Sequence, residues 1–124
     1  MRILVIDDSR AIRLILSQIL KQLGFEVAEA SNGQEALDKL KEAGKFEMAM
    51  VDWNMPVMNG YDFVVAVRSN PAYNDMRLMM VTTETEMSQV IKALEAGANE
   101  YVMKPFTKEM IQEKLTLLGI ITGK

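Results

Sequence analysis

The stretch MAMVDWNMPVMNG, residues 48–60, decides how the rest of this sequence is understood. Its first four residues are apolar and suit a buried strand, but the run ends on Asp52, and Pro56 and Gly60 then break the chain. Burying an unpaired carboxylate is costly. We therefore expect other parts of the chain to bring compensating groups to the end of this strand.

The composition is that of an ordinary globular domain. The 124 residues are 49% hydrophobic and 25% charged, with a net charge of −3 and with neither cysteine nor histidine. This length predicts one domain covering residues 1–124, and the acidic balance argues against a nucleic-acid or membrane-surface binder. The missing residue types exclude disulfides, thiolate chemistry and histidine-based catalysis. No apolar run suits a signal peptide or a membrane span, so we expect a cytoplasmic protein.

Short apolar runs alternate with amphipathic segments along the chain. The runs are typical of strands buried on both faces, and they lie at residues 3–6, 25–30, 46–51, 78–81 and 101–103. Apolar residues recur at helical spacing after each run, which predicts helices at roughly residues 12–23, 32–44, 61–68, 87–94 and 107–118. The alternation predicts an α/β fold of five (βα) units, in which helices cover both faces of a parallel sheet.

Polar residues stand at the carboxyl ends of four predicted strands, where parallel α/β sheets bind their ligands. They are Asp7 and Asp8 after the first strand, Asp52 after the third, Thr82 and Thr83 after the fourth, and Lys104 after the fifth. Neighbouring carboxylates repel one another by roughly 3–4 kcal/mol per pair at an effective dielectric of about 20. Carboxylates are the ligands that Mg²⁺ prefers, so we predict a magnesium site at the three aspartates, with Lys104 balancing the remaining charge.

The same residues suit the transfer of a phosphoryl group to a carboxylate. Asp52 is the candidate nucleophile, while Lys104 and the Thr82 hydroxyl are candidates for binding phosphoryl oxygens. Simpler interpretations stay open for each residue taken singly. Asp7 and Asp8 could cap the following helix, Thr82 could be an ordinary strand residue, and Lys104 could be a surface lysine.

Four segments, VIDDSRAIR, VDWNMPVMNG, MMVTTE and YVMKPF, stand in an order and at a spacing that resemble the receiver domain of two-component response regulators. The resemblance covers essentially the whole chain and is strongest to the CheY-like branch, the stand-alone chemotaxis regulators. It implies a doubly wound, flavodoxin-like five-stranded sheet of strand order 2-1-3-4-5. It also implies phosphorylation of Asp52 and a bound Mg²⁺, or Mn²⁺ as an alternative. Its ligands would be Asp8, Asp52 and the backbone carbonyl of Asn54, with Asp7 acting through water.

The resemblance further implies a conformational switch. Thr82 would move onto the phosphoryl group, Lys104 would bind it, and Tyr101 would swing inward, although Tyr101 could also be a plain packing aromatic. The Lys104–Pro105 peptide bond would be cis. The lifetime of the phosphoryl group would depend on Asn54, Thr83 and Glu84, where Thr83 departs from the more usual alanine. Asn59 departs from the more common aspartate, with little effect expected, because the turn needs only a permissive Gly60.

By the same resemblance, the protein is a cytoplasmic monomer that accepts phosphate from a histidine kinase or a phosphotransfer domain. It would catalyse only its own phosphorylation and dephosphorylation. Its output would pass through the face of helix four, strand five and helix five, with the flagellar motor switch as candidate target and no nucleic acid or membrane as partner. One alternative is a phosphorelay intermediate that passes phosphate to a histidine phosphotransfer protein. Two others are weaker: an aspartyl-nucleophile phosphatase needs an aspartate where Asn54 stands, and a nucleotide-binding flavodoxin-like protein needs a glycine-rich loop after strand one.

Overall fold

The computed structural model describes residues 1–53, 55, 57–83 and 87–121, and every side chain among them except those of Ala43 and Met87. Its strands are β1 (Arg2–Ile6), β2 (Glu26–Ala30), β3 (Met48–Asp52), β4 (Arg77–Thr82) and β5 (Glu100–Met103). Its α-helices are α1 (Arg10–Gln22), α2 (Gly33–Ala43), α3 (Gly60–Arg68), α4 (Met87–Ala96) and α5 (Lys108–Leu117), with one 3₁₀ turn at Pro71–Tyr73. Within these ranges, no helix is both long and apolar enough to cross a bilayer.

The strands form one parallel sheet in the order β2-β1-β3-β4-β5, which confirms the predicted fold and strand order. Alternate residues of each strand face opposite sides of the sheet. Leu4 and Ile6 of β1 join a buried cluster with residues of α2, α3 and α4, whereas Ile3 and Val5 join a second cluster with residues of α1 and α5. This burial on both faces explains the apolar runs of the central strands β1, β3 and β4, whereas the edge strands β2 and β5 are only partly buried.

Two strand boundaries differ from the prediction in a way that matters for the site. β3 and β4 each run one residue further than their apolar runs, so that Asp52 and Thr82 are the last strand residues and are buried. At its other end, β3 begins at Met48 and not at Phe46. Phe46 lies outside the sheet but is buried in the hydrophobic cluster that includes Leu40, and the guanidinium of Arg2 lies 4.3 Å from the centroid of its ring.

The structure gives Gly60 a different role from the permissive turn that we expected after β3. It is the first residue of α3, and the side chain of Asn59 caps this helix by accepting a hydrogen bond from the Asp62 N–H at 2.8 Å. A Cβ atom at position 60 would lie 2.5 Å from the carbonyl oxygen of Asp52. Glycine is therefore required by a close approach to the end of β3 and not by a permissive turn.

Arg68, the last residue of α3, ties together the segments that lead into β4 and β5. Its guanidinium donates hydrogen bonds of 2.7–2.9 Å to the carbonyl oxygens of Tyr73, Met76 and Gly97 and to Oδ1 of Asn99. The same Oδ1 accepts a hydrogen bond from the N–H of Leu78 at 2.8 Å. These bonds fix the amino-terminal end of the sheet, opposite the end where the candidate site residues lie.

Candidate phosphorylation and metal site

The carboxyl ends of the central strands bring the predicted aspartates and lysine into one crevice. Asp52 ends β3 with 4% of its surface exposed, and Asp7, which follows β1, is 1% exposed. Asp8, the next residue, is exposed at the mouth of the crevice. Lys104 follows β5, and its backbone N–H donates to the carbonyl oxygen of Thr82 at 2.6 Å. The parallel sheet therefore assembles a site from residues that lie far apart in the sequence.

Lys104 is the cation of this crevice. Its Nζ lies 3.1 Å from Oδ1 of Asp52 and 3.6 Å from Oδ2 of Asp7. Burial alone lowers the pKa of Lys104, but its ion pairs with Asp52 and Asp7 outweigh that effect and raise the pKa above the ordinary lysine value. Lys104 is consequently fully charged at neutral pH and ready to hold an anionic group.

The two buried carboxylates have unusual proton affinities. Burial, reinforced by the neighbouring Asp7 carboxylate, raises the pKa of Asp52 from 3.8 to about 6, against the opposing effect of Lys104. Burial likewise raises the pKa of Asp7, although its hydrogen bond with the Ser9 N–H and the nearby Lys104 act in the opposite direction. One lysine thus leaves the cluster with excess negative charge, which a second cation would relieve.

The donor set fits a divalent metal ion. One carboxylate oxygen from each of Asp7, Asp8 and Asp52 lies within 4.8 Å of the others. The buried Oδ2 of Asp7 has no hydrogen-bond partner in the described part of the chain, whereas a buried polar atom normally has one. An all-oxygen set with an unsatisfied buried carboxylate atom suits a hard cation such as Mg²⁺. The fourth expected ligand, the carbonyl of Asn54, lies outside the described residues.

Arg13 fixes the backbone of the acidic turn, a role that the sequence patterns did not reveal. It donates from one guanidinium nitrogen to the carbonyl oxygen of Asp7 at 2.7 Å and from another to the Glu29 carboxylate at 3.1 Å. The N–H of Asp7 donates to the carbonyl oxygen of Ala30. Both backbone groups of Asp7 are therefore held. The only signal in the sequence is a basic residue one turn into the helix that follows the two aspartates.

Thr82 and Thr83 border the crevice at the end of β4. The buried Thr82 hydroxyl donates to the carbonyl oxygen of Thr83 at 3.3 Å. Thr83 lines a groove of about 450 Å³ beside the site, together with Ile12, Ile15, Lys104, Pro105 and Phe106. The Lys104–Pro105 peptide bond is cis, as the resemblance implies. Glu84, the remaining expected lifetime residue, lies outside the described residues.

Two aromatic residues, Trp53 and Tyr101, lie in different surroundings. Trp53 directly follows Asp52, and its ring packs edge to face against Tyr61 with centroids 6.1 Å apart. Tyr101 lies on the edge strand β5, partly buried against the cluster that contains the α3 and α4 residues. Trp53 is consequently well placed to report on changes at Asp52, while Tyr101 lies toward an outer face of the domain.

The family of the chain follows from direct comparison with known proteins. Residues 3–116 match the response regulator receiver domain. The chain belongs to the response regulator receiver family. This receiver is 44% identical over 119 residues to chemotaxis protein CheY1 of Helicobacter pylori, and the alignment covers 95% of this chain and 96% of the relative. It is therefore a CheY-like response regulator of a two-component system, a signalling regulator and not a classical enzyme.

Solved structures agree with this assignment. The receiver superimposes on chemotaxis response regulator CheY4 of Vibrio cholerae with a TM-score of 0.87 and 37% identity, over 94% of this chain and 97% of that one. It also superimposes on response regulator TrrA of Thermotoga maritima, with a TM-score of 0.81, 32% identity and the same coverage. The TrrA structure was solved in complex with Mg²⁺ and BeF. The resemblance stated from the four sequence segments is thus confirmed.

Proposed function

We propose that Asp52 accepts a phosphoryl group from a phosphohistidine of a histidine kinase or phosphotransfer domain. The observation that carries this proposal is the pairing of a nearly buried Asp52 carboxylate with the Lys104 ammonium at 3.1 Å, inside a cluster of aspartates. An Asp52 oxygen would form a bond to phosphorus as the phosphorus–nitrogen bond breaks, and the imidazole of the donor would keep the electron pair.

Different residues of the crevice would bind the phosphoryl group and the metal ion. The Lys104 ammonium would exchange its hydrogen bond to the Asp52 carboxylate for one to a phosphoryl oxygen. The raised pKa of Lys104 keeps this group charged. Asp7, Asp8 and Asp52 would hold Mg²⁺, with Mn²⁺ as the alternative, and the bound ion would neutralise charge on the phosphoryl oxygens. Arg13 would keep the Asp7 backbone in place while this charge changes.

The signal would leave the site through Thr82 and Tyr101. We assign the Thr82 hydroxyl as the group that turns toward the phosphoryl oxygen, because it ends the strand next to that of Asp52. Tyr101 lies on the next strand, β5, where it can respond to that movement. A partner that prefers the altered face of α4, β5 and α5 would then shift the population of states, and by linkage its binding would favour phosphorylation.

We assign the pathway as chemotaxis. The support is the likeness to chemotaxis regulators over nearly the full length of both chains. The proposed partners are the histidine kinase of that pathway and, downstream, the flagellar motor switch. The proposal keeps the regulator monomeric and cytoplasmic.

The test uses the Trp53 fluorescence of the full chain and intact-protein mass. Mg²⁺ is titrated first, and acetyl phosphate is then added to the wild type, to Asp52→Asn and to Asp75→Asn. Asp75 is an exposed aspartate near the opposite end of the sheet and serves as the matched control. We expect a Mg²⁺-dependent gain of one phosphoryl group in the wild type and in Asp75→Asn, and none in Asp52→Asn.

Two outcomes would contradict the proposal. If the wild type stays unphosphorylated in the presence of Mg²⁺ and donor, the proposed switching function is wrong. If Asp52→Asn is phosphorylated to the same extent as the wild type, the acceptor is a residue other than Asp52. Adding a histidine phosphotransfer domain to the phosphorylated receiver separates the alternative relay role. Rapid loss of phosphate to that domain would identify a phosphorelay intermediate in place of a regulator that acts by contact.

A further inference from the structure

Tyr101 is held by two charged residues that no sequence pattern singled out. Lys114 of α5 places Nζ 4.8 Å from the centroid of the Tyr101 ring and 3.2 Å from Oε1 of Glu100. The same Oε1 accepts a hydrogen bond from the backbone N–H of Tyr101 at 2.9 Å. One carboxylate oxygen therefore links the backbone of Tyr101 to the cation that covers its ring.

The surroundings strengthen this arrangement. The side chains of Lys114 and Glu100 are only 23% and 21% exposed, so water screens their attraction incompletely. Lys114 lines a groove of about 280 Å³ between β5 and α5 that Met103 and Met110 also line. On its other side, Tyr101 packs against the buried cluster of α3 and α4 residues. The ring thus lies between an apolar surface and a partly desolvated cation, which is a favourable position for an aromatic face.

We propose that Lys114 and Glu100 are positioning residues that hold the Tyr101 ring in its place while Asp52 is unphosphorylated. The inference rests on the proposed switching role of Tyr101. In the observed arrangement Lys104 is bonded to the Asp52 carboxylate itself, so this ring position belongs to the unmodified acceptor. When Tyr101 leaves the position, the contact between its ring and the Lys114 ammonium is lost, and that loss opposes switching.

The size of the effect follows from the strength of such contacts. A cation over an aromatic ring at a partly exposed site changes a conformational equilibrium by about two- to fivefold. Removing a contact that favours the unmodified state eases the transition to the phosphorylated state. A phosphoryl mimic should therefore bind about two- to fivefold more tightly when the Lys114 contact is lost.

The experiment places 3-fluorotyrosine in the full chain and follows it by ¹⁹F NMR. The chain contains three tyrosines, and the Tyr101 signal is assigned with Tyr101→Phe. The test variants are Lys114→Met and Glu100→Gln, and Lys114→Arg is the conservative variant that keeps the cation. Lys108→Met and Glu109→Gln make the same charge changes on α5 at residues that do not line this groove. Spectra are first recorded without metal, and Mg²⁺ with beryllofluoride is then titrated into each protein.

We expect Lys114→Met and Glu100→Gln to shift or broaden the Tyr101 signal without metal, while the Tyr61 and Tyr73 signals keep their positions. Beryllofluoride should bind these two variants about two- to fivefold more tightly than the wild type. Lys114→Arg and both control variants should behave like the wild type. Should Lys114→Met fail to fold, Glu100→Gln decides the question alone, because it removes the carboxylate that orients Lys114.

Three outcomes would overturn the inference, and a fourth would contradict the proposed function. A Tyr101 signal and an affinity that match the wild type in both test variants would overturn the inference, and so would a ring that moves while the affinity stays unchanged. Equal effects from the α5 control variants would show that the change comes from the overall charge of α5 and not from the Lys114 contact, and this result would also overturn the inference. A wild type that does not respond to beryllofluoride would instead contradict the proposed function, while the metal-free spectra would still decide whether Lys114 holds the ring.

Discussion

Lys104 reaches from the end of β5, past the neighbouring strand β4, to place its Nζ 3.1 Å from Oδ1 of Asp52 at the end of β3. The two residues are 52 positions apart in the sequence. The same ammonium lies 3.6 Å from the buried carboxylate of Asp7. A single cation thus pairs with two carboxylates that would otherwise repel each other at close range, so we expect Lys104 to contribute to stability as well as to the proposed phosphoryl binding.

Replacing Lys104 with methionine should therefore destabilise the metal-free protein at neutral pH. We expect a loss of about 3–5 kcal/mol in the free energy of unfolding, because two buried carboxylates lose their partner. Urea denaturation in the presence of a chelator measures it. The double variant Lys104→Met/Asp52→Asn should recover most of the loss, and Mg²⁺ should restore part of it in the single variant. An unchanged urea midpoint for Lys104→Met would show that the ion pairs contribute little.

The raised pKa of Asp52 predicts how stability depends on pH. Because its pKa is 3.8 when unperturbed and about 6 in the fold, the folded state binds more protons than the unfolded state between these values. Its contribution to stability is thus lost as the pH rises from about 4 to about 6. Asp52→Asn removes this loss and should stabilise the metal-free protein at pH ~7.5 by about 2 kcal/mol, and by much less at pH ~4.5.

Urea denaturation of both proteins at the two pH values checks this prediction. The raised pKa of Asp7 affects the wild type and the variant together, so only the difference between the two proteins is compared. A stabilisation of equal size at both pH values would mean that Asp52 does not titrate in this range.

Gly60→Ala should damage the site although alanine is ordinarily favourable in a helix. The new Cβ would lie 2.5 Å from the carbonyl oxygen of Asp52, so the end of β3 must shift. We expect a loss of about 1–3 kcal/mol in stability and weaker Mg²⁺ binding, followed by Trp53 fluorescence. Gly24→Ala is the matched control: its φ of +97° makes alanine strained, but a Cβ there meets nothing within 4 Å. The control should lose stability and keep its Mg²⁺ affinity.

Thr83→Ala should speed both phosphorylation by acetyl phosphate and the hydrolysis of the acyl phosphate. Thr83 lines the groove that Lys104 also lines, and its extra bulk relative to alanine would narrow the approach of a small donor or of water. We expect both rates to rise several-fold, measured by the time course of intact mass. Thr116→Ala, at an exposed threonine of α5, should change neither rate. Slower reactions in Thr83→Ala would instead show that the hydroxyl assists the chemistry.

The fold could be predicted because its signals are local, and the site could be predicted because topology places it. Apolar periodicity marked each strand and helix, and the rule that parallel strands bind ligands at their carboxyl ends brought Asp7, Asp52 and Lys104 together. The rest depends on side-chain reach between distant segments. The apolar character of Phe46 predicts a place in β3, yet the ring lies before the strand and packs in the hydrophobic cluster with Arg2 over it. The reason for Gly60 was wrong because its constraint is a tertiary contact with the Asp52 carbonyl.

The same limit applies to the residues that sequence reasoning missed. Arg13, Glu100 and Lys114 look like ordinary surface charges in the sequence. Arg13 binds the backbone carbonyl of Asp7, and Glu100 accepts a hydrogen bond from the backbone N–H of Tyr101. Lys114 lies over the aromatic ring of Tyr101. Periodicity and spacing carry no information about such contacts, so only the three-dimensional arrangement reveals them.

The Arg68 hydrogen bonds hold one end of the sheet more firmly than the other. At the amino ends of β4 and β5, the guanidinium and the Asn99 side chain bind the backbone at Tyr73, Met76 and Leu78, whereas the carboxyl ends would accommodate the proposed phosphoryl group. Hydrogen–deuterium exchange should therefore show a gradient along β4, with the Leu78 amide among the slowest and protection declining toward Thr82. Phosphorylation would then change exchange at one end of the strand and leave the other end as a fixed pivot.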